Sequence, residues 1–225
     1  GVLAIINMLI LFKFKAYMSI DIIIAFYNPP NNWSKIVFNQ FNQFNRLFSN
    51  NKVSLILVND GSENNIIRKE VEYLKDNIQN LHYISYPKNM GKGFALRKGV
   101  SFSQSDFQII TDIDLPYAIN SMLDVYHSLK NGNDIVVGVR HPDYYIDKPF
   151  FRVILSKLFR LFIKYILILD VSDTQCGLKG FNQKGKEVFL KTMVNSFLFD
   201  LEFLLISKRM GLSVFEQLVM SRNSI

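Results

Sequence analysis

The chain has 225 residues, of which 49% are hydrophobic and 20% charged, and its formal net charge is +7. This length and balance suit one globular domain with a sizeable core. A single cysteine, Cys176, excludes an internal disulfide and a cysteine-based zinc cluster, and it fits a reducing cytoplasm. The basic charge suits a nucleic acid, an anionic membrane surface or a nucleotide diphosphate, and charge alone does not choose among them.

The first apolar run, residues 2–12, is too short for a membrane span, which needs about 20 residues. No basic residue precedes it, so we expect no cleavable signal. The first convincing strand follows Met18 directly. We therefore expect residues 1–17 to be an N-terminal extension, either non-native or a membrane-surface anchor, and residues 18–225 to form a single catalytic domain.

Apolar runs of strand length alternate with stretches of helical length and periodicity. Strands are predicted at residues 20–26, 53–58, 81–85, 107–111 and 135–139. Helices are predicted at residues 33–49, 65–77, 92–103 and 119–130. The alternation indicates an α/β fold with a Rossmann-like, mostly parallel sheet flanked by helices, in which ligands bind beyond the carboxyl ends of the strands.

Polar residues occur where these predicted strands end. Asp112 and Asp114 follow the fourth strand, and their spacing suits a divalent cation that holds a diphosphate, although a solvated turn has the same pattern. Asp60 follows the second strand in an Asn-Asp-Gly-Ser turn and is expected to point into the crevice; a plain turn is the alternative.

A glycine loop, residues 89–93, precedes the helix predicted at residue 92. Backbone N–H groups and the helix dipole at such a position favour an anion. The loop has neither the Walker spacing nor the Rossmann Gly-x-Gly-x-x-Gly spacing. We nevertheless expect it to bind a nucleotide.

In their order along the chain these motifs resemble the inverting family 2 glycosyltransferases with the GT-A fold. Within that family they resemble the polyprenyl-phosphate sugar synthases of the dolichyl-phosphate glucosyltransferase type. The resemblance runs from about Ile20 to Ile206, and its sharpest signature is Asp-Thr-Gln-Cys-Gly at residues 173–177. The other matching segments are residues 27–28, 59–62, 89–93, 112–114, 138–140 and 199–202.

The resemblance implies transfer of a hexose from a nucleotide sugar, UDP-glucose, to a polyprenyl phosphate, with Mg²⁺ or Mn²⁺ as cofactor. It implies that Tyr27 and Asp60 hold the base and ribose, that Asp112 holds the nucleotide end, and that Asp114, with Asp112, holds the metal. The residues expected to contact the nucleotide sugar are Tyr27, Asn28, Asp60, Gly91, Lys92, Gly93, Asp112 and Gln175. Ala25 and Pro29 depart from the family pattern, which has Pro and Glu there.

The acceptor decides which residues catalysis needs. A hydroxyl must lose its proton to a base, for which Asp200 and Glu202 are candidates on a helix predicted to open at Phe199. An acidic first helical turn is an equally good explanation of this pair. A phosphate is largely dianionic at neutral pH and needs cations instead. Arg140, Arg152 and Lys157 are the candidates for that contact, and Arg140 is also counted among the catalytic residues.

Residues 150–169 have a basic stripe opposite a broad apolar face, as in an amphipathic helix that packs on the core or lies on lipid. We expect a cytoplasmic protein peripheral to the inner face of the cell membrane, with a nucleotide-sugar donor and a lipid-phosphate acceptor. No nucleic-acid partner is expected, because the basic residues are scattered. Two alternatives stay open: transfer to a hydroxyl of a cell-surface polysaccharide or glycolipid, and a non-catalytic nucleotide-binding module.

Overall fold

The computed structural model describes residues 18–48, 52–141 and 171–222. The amphipathic stretch at residues 150–169, with Arg152 and Lys157, lies outside the described residues, as do residues 1–17. Within them, the strands are β1 (Ile20–Phe26), β2 (Val53–Asp60), β3 (Leu81–Tyr86), β4 (Phe107–Thr111), β5 (Ile135–Arg140), β6 (Lys179–Phe181) and β7 (Val214–Val219). The helices are α1 (Trp33–Leu47), α2 (Asn65–Asn77), α3 (Lys92–Phe102), α4 (Ile119–Lys130), α5 (Gln183–Phe189) and α6 (Phe199–Arg209).

The described strands form one sheet in the order β3-β2-β1-β4-β6-β5-β7. β6 runs antiparallel to both of its neighbours, while the other pairings are parallel. The predicted α/β class with a mostly parallel sheet is therefore confirmed.

Helices pack on both faces of the sheet and bury its central strands. Ile22 and Ile24 of β1 face a core cluster with residues of α1, α2 and α4. Ile23, between them, faces a second cluster with residues of α3, α5 and α6. All eight residues of β2 are buried. Burial on both faces is why these strands appear in the sequence as continuous apolar runs rather than alternating ones.

The predicted strands and helices agree with the structure to within two residues at each described end. β6, α5 and β7 were not predicted. No strand was predicted between Asp173 and Phe181, yet the last three residues of this segment form β6. Because β6 is reversed, the residues before it lie towards the carboxyl ends of β4 and β5: its first residue, Lys179, pairs with Ile110 and Val137.

Gly99 of α3 faces the sheet at very short range. A Cβ at this position would lie 2.5 Å from Cγ2 of Ile23 and 3.1 Å from Cγ2 of Val58. We expect Gly99→Val to lower the free energy of unfolding by about 1–3 kcal/mol, because the added atoms overpack the core. Urea unfolding measures this difference.

The matched control is Ser101→Val, on an exposed position of the same helix. Its effect should stay within about 0.5 kcal/mol. Equal stability of the two variants would contradict the tight packing of α3 on β1.

Candidate active site

Asp60, at the end of β2, fastens the glycine loop to the sheet. Its Oδ1 accepts hydrogen bonds from the Tyr86 hydroxyl and the Met90 N–H, both at 2.8 Å, and its Oδ2 accepts one from the Gly91 N–H at 3.0 Å. Burial and the neighbouring carboxylate raise the pKa of Tyr86, which therefore stays a donor at neutral pH. The Asp60 side chain is buried and its carboxylate is hydrogen-bonded to the loop, while its role in holding a nucleotide stays a prediction.

The glycine loop packs against the segment that precedes α6. Gly91 has φ +98°, and a Cβ there would lie 2.5 Å from the Asn195 carbonyl oxygen. At Gly93 a Cβ would lie 2.3 Å from the Val194 carbonyl oxygen, and its N–H donates to Asn195 O at 2.8 Å. The N–H groups of Met90, Gly91 and Gly93 therefore all donate within the protein. Nucleotide binding by the glycine loop stays a prediction.

Lys92 supplies the positive charge of this loop. Its Nζ lies 2.5 Å from Oδ1 of Asp112, and both side chains are partly exposed. Burial lowers the pKa of Lys92, but the carboxylate of Asp112 and its acidic neighbours outweigh this effect, so the pKa lies above its ordinary value. Lys92 therefore carries its charge at neutral pH, beside the first aspartate of the Asp-Ile-Asp motif.

Asp114 lies close enough to Asp112 to be affected by the negative charge of that carboxylate. Burial and then the charge of Asp112 raise the pKa of Asp114, while Arg222 and Lys92 partly offset the shift. No group of three or more acidic, histidine or cysteine side chains in the described part of the chain could hold a metal ion. Two neighbouring carboxylates nevertheless fit Mg²⁺ or Mn²⁺, because such hard cations commonly complete their shell with phosphate oxygens and water.

The Asp173–Gly177 signature reaches this edge because β6 is antiparallel, so the residues before it lie beside the ends of the other strands. A Cβ at Gly177 would lie 1.9 Å from Oδ2 of Asp112, so only glycine permits this contact. The Gly177 N–H donates to the Tyr117 hydroxyl at 2.9 Å, and Sγ of Cys176 lies 3.3 Å from the same oxygen. Cys176 is buried, and burial raises its pKa, which disfavours a thiolate nucleophile.

Asp200 and Glu202, the two candidate bases, face different surroundings. Oδ1 of Asp200 lies 2.9 Å from Nζ of the fully buried Lys179. Burial raises the pKa of Asp200, although Lys179 and Lys92 lower it, and the charge of Asp112 adds to the rise. Asp200 therefore belongs to the same charge cluster as the Asp-Ile-Asp motif.

Glu202 instead holds the backbone of the preceding segment. Its Oε2 accepts hydrogen bonds from the Met193 N–H at 2.9 Å and the Val194 N–H at 2.8 Å. Its prediction as a base remains untested. The carboxylate already has a structural task that Asp200 does not share.

Arg140, predicted to bind the acceptor phosphate, forms a two-pronged ion pair with Asp173. Its Nε and Nη2 donate to the two carboxylate oxygens, each at 2.7 Å. The positive charge at the end of β5 is therefore already balanced. Contact with a phosphate would have to share or displace this partner.

The predicted nucleotide-binding residues partly share one cavity. Tyr27, Asp60, Gly91 and Lys92 line a cavity of about 270 Å³ at the carboxyl edge of the sheet. The Asn28 N–H donates to Ser62 Oγ at 2.7 Å, which joins the turns that follow β1 and β2. Four of the eight predicted residues thus line one cavity, and Lys92 connects it to a fifth, Asp112. Gln175 is exposed in the turn before Gly177 and does not line this cavity.

The sequence profile of glycosyl transferase family 2 matches residues 21–189. The chain belongs to glycosyl transferase family 2. It is 26% identical over 172 residues to a dolichyl-phosphate beta-glucosyltransferase of Dictyostelium discoideum, covering 72% of this chain and 53% of the relative. It is 27% identical over 168 residues to the Homo sapiens dolichyl-phosphate beta-glucosyltransferase, covering 68% and 51%. The chain thus spans about half the length of these relatives.

Solved structures of similar fold confirm the GT-A architecture. Mannosyl-3-phosphoglycerate synthase from Rubrobacter xylanophilus superposes with a TM-score of 0.68 at 13% identity, covering 90% of this chain and 66% of that one. Glucosyl-3-phosphoglycerate synthase from Mycobacterium tuberculosis, in complex with Mn²⁺, UDP-glucose and phosphoglyceric acid, gives 0.65 at 13% identity, covering 90% and 70%. At this identity the likeness establishes the fold alone.

Several residues of this family 2 glycosyltransferase site were not anticipated from the sequence. They are Tyr86, Arg97, Tyr117, Lys179 and Arg222, whose guanidinium donates to the Asp114 carbonyl oxygen at 3.1 Å. Lys179 could have been found from the sequence, because a lysine between apolar and glycine residues inside a buried strand needs a partner charge. The others had none, because their roles arise from contacts between distant segments.

Gly177 and Cys176 are neighbours in sequence, and we expect a small substitution to reduce catalytic activity at Gly177 but not at Cys176. We expect Gly177→Ala to lower catalytic activity by at least about 10²-fold, because even a displacement of about 1 Å at a site costs this much. Cys176→Ser should keep most of the activity, since its side chain faces Tyr117 and holds no reacting group. Steady-state kinetics on both variants tests the pair, and full activity of Gly177→Ala would refute the close contact with Asp112.

Proposed function

We propose that this chain is a metal-dependent, inverting glycosyltransferase that moves glucose from UDP-glucose to a polyprenyl phosphate. The observation that carries the proposal is the Lys92–Asp112 ion pair, which joins the cavity lined by Tyr27 and Asp60 to the Asp-Ile-Asp motif. The matched dolichyl-phosphate beta-glucosyltransferases support the choice of a lipid-phosphate acceptor. The same proposal assigns the chain to the inner face of the cell membrane, where such an acceptor is found.

On the donor side, the proposal assigns the cavity to the nucleotide and the Asp-Ile-Asp motif to the diphosphate. Asp112 and Asp114 would hold Mg²⁺ or Mn²⁺, which supplies Lewis-acid stabilisation of the leaving diphosphate when bound. Lys92 lies against Asp112 and brings a permanent positive charge to the same place. Negative charge that builds on the departing nucleotide is thereby stabilised by a fixed group of the chain itself.

On the acceptor side, a dianionic phosphate has to approach an edge that already carries carboxylates. Lys92 and the buried Lys179 offset the charges of Asp112 and Asp200. Arg140 adds a third cation, paired with Asp173. Each of the three pairs is neutral, which lowers the electrostatic barrier to an anion that attacks the sugar from the face opposite the diphosphate.

The decisive experiment incubates the purified protein with labelled UDP-glucose, MnCl₂ and undecaprenyl phosphate, and measures label in the organic phase. We expect lipid-soluble glucose, and we expect Asp114→Asn to reduce it by at least about 10²-fold, since the variant loses a charged ligand of the metal. Mn²⁺ binding followed by electron paramagnetic resonance should weaken in parallel.

No transfer from any common nucleotide sugar would count against this function. Nucleotide binding in a calorimeter without transfer or donor hydrolysis would support the non-catalytic alternative instead.

A hydroxyl acceptor is the second candidate, favoured by the burial of Asp200 beside Lys92 and the raised pKa of its carboxyl, a change that suits a base. Two isosteric variants on the same helix, Asp200→Asn and Glu202→Gln, separate the acceptors. With a phosphate acceptor we expect each folded variant to lose less than about tenfold in kcat, since no base is required, although Asp200→Asn removes the partner charge of the buried Lys179 and lowers the melting temperature. A loss of about 10²-fold or more in Asp200→Asn alone, measured well below the melting temperature of the variant, would identify a base and favour the hydroxyl acceptor.

A further inference from the structure

An exposed apolar row borders the candidate active site. After α5 the chain runs back along α6, because Lys191 contacts Met210 at one end and Ser196 contacts Phe199 at the other. We name Leu190, Met193, Phe197 and Leu198 on this segment the apolar rim. All four are exposed, Met193 by 82% and Phe197 by 64%. Clustered exposed apolar side chains of this size mark interaction sites.

The backbone beneath the apolar rim has its polar groups satisfied from the inside. Glu202 accepts the N–H groups of Met193 and Val194. The Arg97 guanidinium donates to the carbonyl oxygens of the same two residues. Gly93 donates to the carbonyl oxygen of Asn195. At Met193 and Val194 both backbone polar groups therefore have partners inside the protein and need no water, a condition that lipid imposes far more strictly than an aqueous surface does.

Basic side chains flank the apolar rim. Lys191 is exposed within it, and Arg209 is exposed in the last turn of α6, next to Met210. Glu202, which lies under the rim, is held by the backbone N–H groups and the field of Arg97. The basic residues beside the apolar rim complement the negative charge of an anionic lipid headgroup layer. Each basic residue near such a layer contributes about 1 kcal/mol to the free energy of membrane binding.

The apolar rim also lies where a lipid acceptor would have to arrive. Asn195 touches Gly91 and Gly93 of the glycine loop, and Asp200 follows Leu198 by two residues. Residues 195–200 thus run from the glycine loop to the Lys179–Asp200 pair, and Phe197 and Leu198 of the rim lie in this stretch. Within residues 18–48, 52–141 and 171–222, no helix combines the length and the hydropathy needed to cross a bilayer.

We propose that the apolar rim inserts into the headgroup region of an anionic bilayer and so places the active-site edge against the membrane that contains the acceptor. The proposal rests on the proposed function for the identity of that acceptor, while the membrane contact itself follows from the rim. Insertion of a few side chains makes the contact reversible. The polyprenyl phosphate then reaches the candidate active site without leaving the bilayer.

The test compares two double variants in sedimentation with vesicles of phosphatidylcholine and phosphatidylglycerol. Met193→Ser/Phe197→Ser removes two large side chains of the apolar rim. Leu47→Ser/Ile66→Ser removes two comparably exposed side chains from α1 and α2. Residues 150–169 are present in both proteins, so any binding they add is common to both. We expect the rim variant to bind at least tenfold more weakly than the control variant, and circular dichroism melting reports whether both are folded.

A second measurement separates this proposal from the proposed function. The rim variant should lose transfer to undecaprenyl phosphate in vesicles but keep its transfer to citronellyl phosphate, a short acceptor that is soluble as single molecules. Vesicle binding equal to the control would overturn the membrane contact, whether or not any acceptor is used. Self-association of the wild type in analytical ultracentrifugation, abolished in the rim variant while vesicle binding is unchanged, would overturn it in favour of a protein interface.

Discussion

The edge that carries the candidate active site depends on pairing three of its carboxylates with cations from other segments. Asp112, Asp173 and Asp200 lie close to the same end of the sheet, and each has a lysine or arginine at 2.5 to 2.9 Å. Unpaired carboxylates in such a place would raise each other's pKa values and take up protons. The ion pairs keep these three carboxylates ionised, while the strands around them stay buried.

The three pairs are not equivalent, and their differences define their tasks. Lys179 is fully buried, and a buried lysine without its carboxylate would be strongly destabilising. Arg140 donates two hydrogen bonds to the Asp173 carboxylate and so holds the first residue of the Asp173–Gly177 signature in place. Lys92 and Asp112 remain partly exposed, so this pair alone can exchange its partner for a ligand at little cost in stability.

Much of the fold followed from periodicity, because buried parallel strands and amphipathic helices leave strong patterns. The ends of β1 to β5 and of α1 to α4 were predicted closely for this reason. β6 has only three residues and contains Lys179 and Gly180, so it has neither the length nor the apolar pattern of a strand. Its reversal, which brings Cys176 and Gly177 to the active-site edge, is a property of pairing that no local pattern contains.

The candidate site was predictable as a set of positions but not as a set of contacts. Asp112 and Asp114 were recognised because strand ends meet at one edge of a parallel sheet. The engagement of Asp60 with Met90 and Gly91 was not, since a carboxylate in a turn can equally face solvent or a neighbouring backbone. The separate tasks of Asp200 and Glu202 also depend on which segments pack beside α6, and that information is not local.

The contact between Gly93 and the backbone of Val194 and Asn195 limits how this chain can diverge. Gly93 lies in the first turn of α3, beside the cavity lined by Tyr27 and Asp60, while Val194 and Asn195 belong to the segment that carries the apolar rim. Because a Cβ at Gly93 would lie 2.3 Å from the Val194 carbonyl oxygen, neither segment can be lengthened or redirected in evolution without compensation in the other. Changes in the cavity and in the apolar rim are therefore expected to arise together in its lineage.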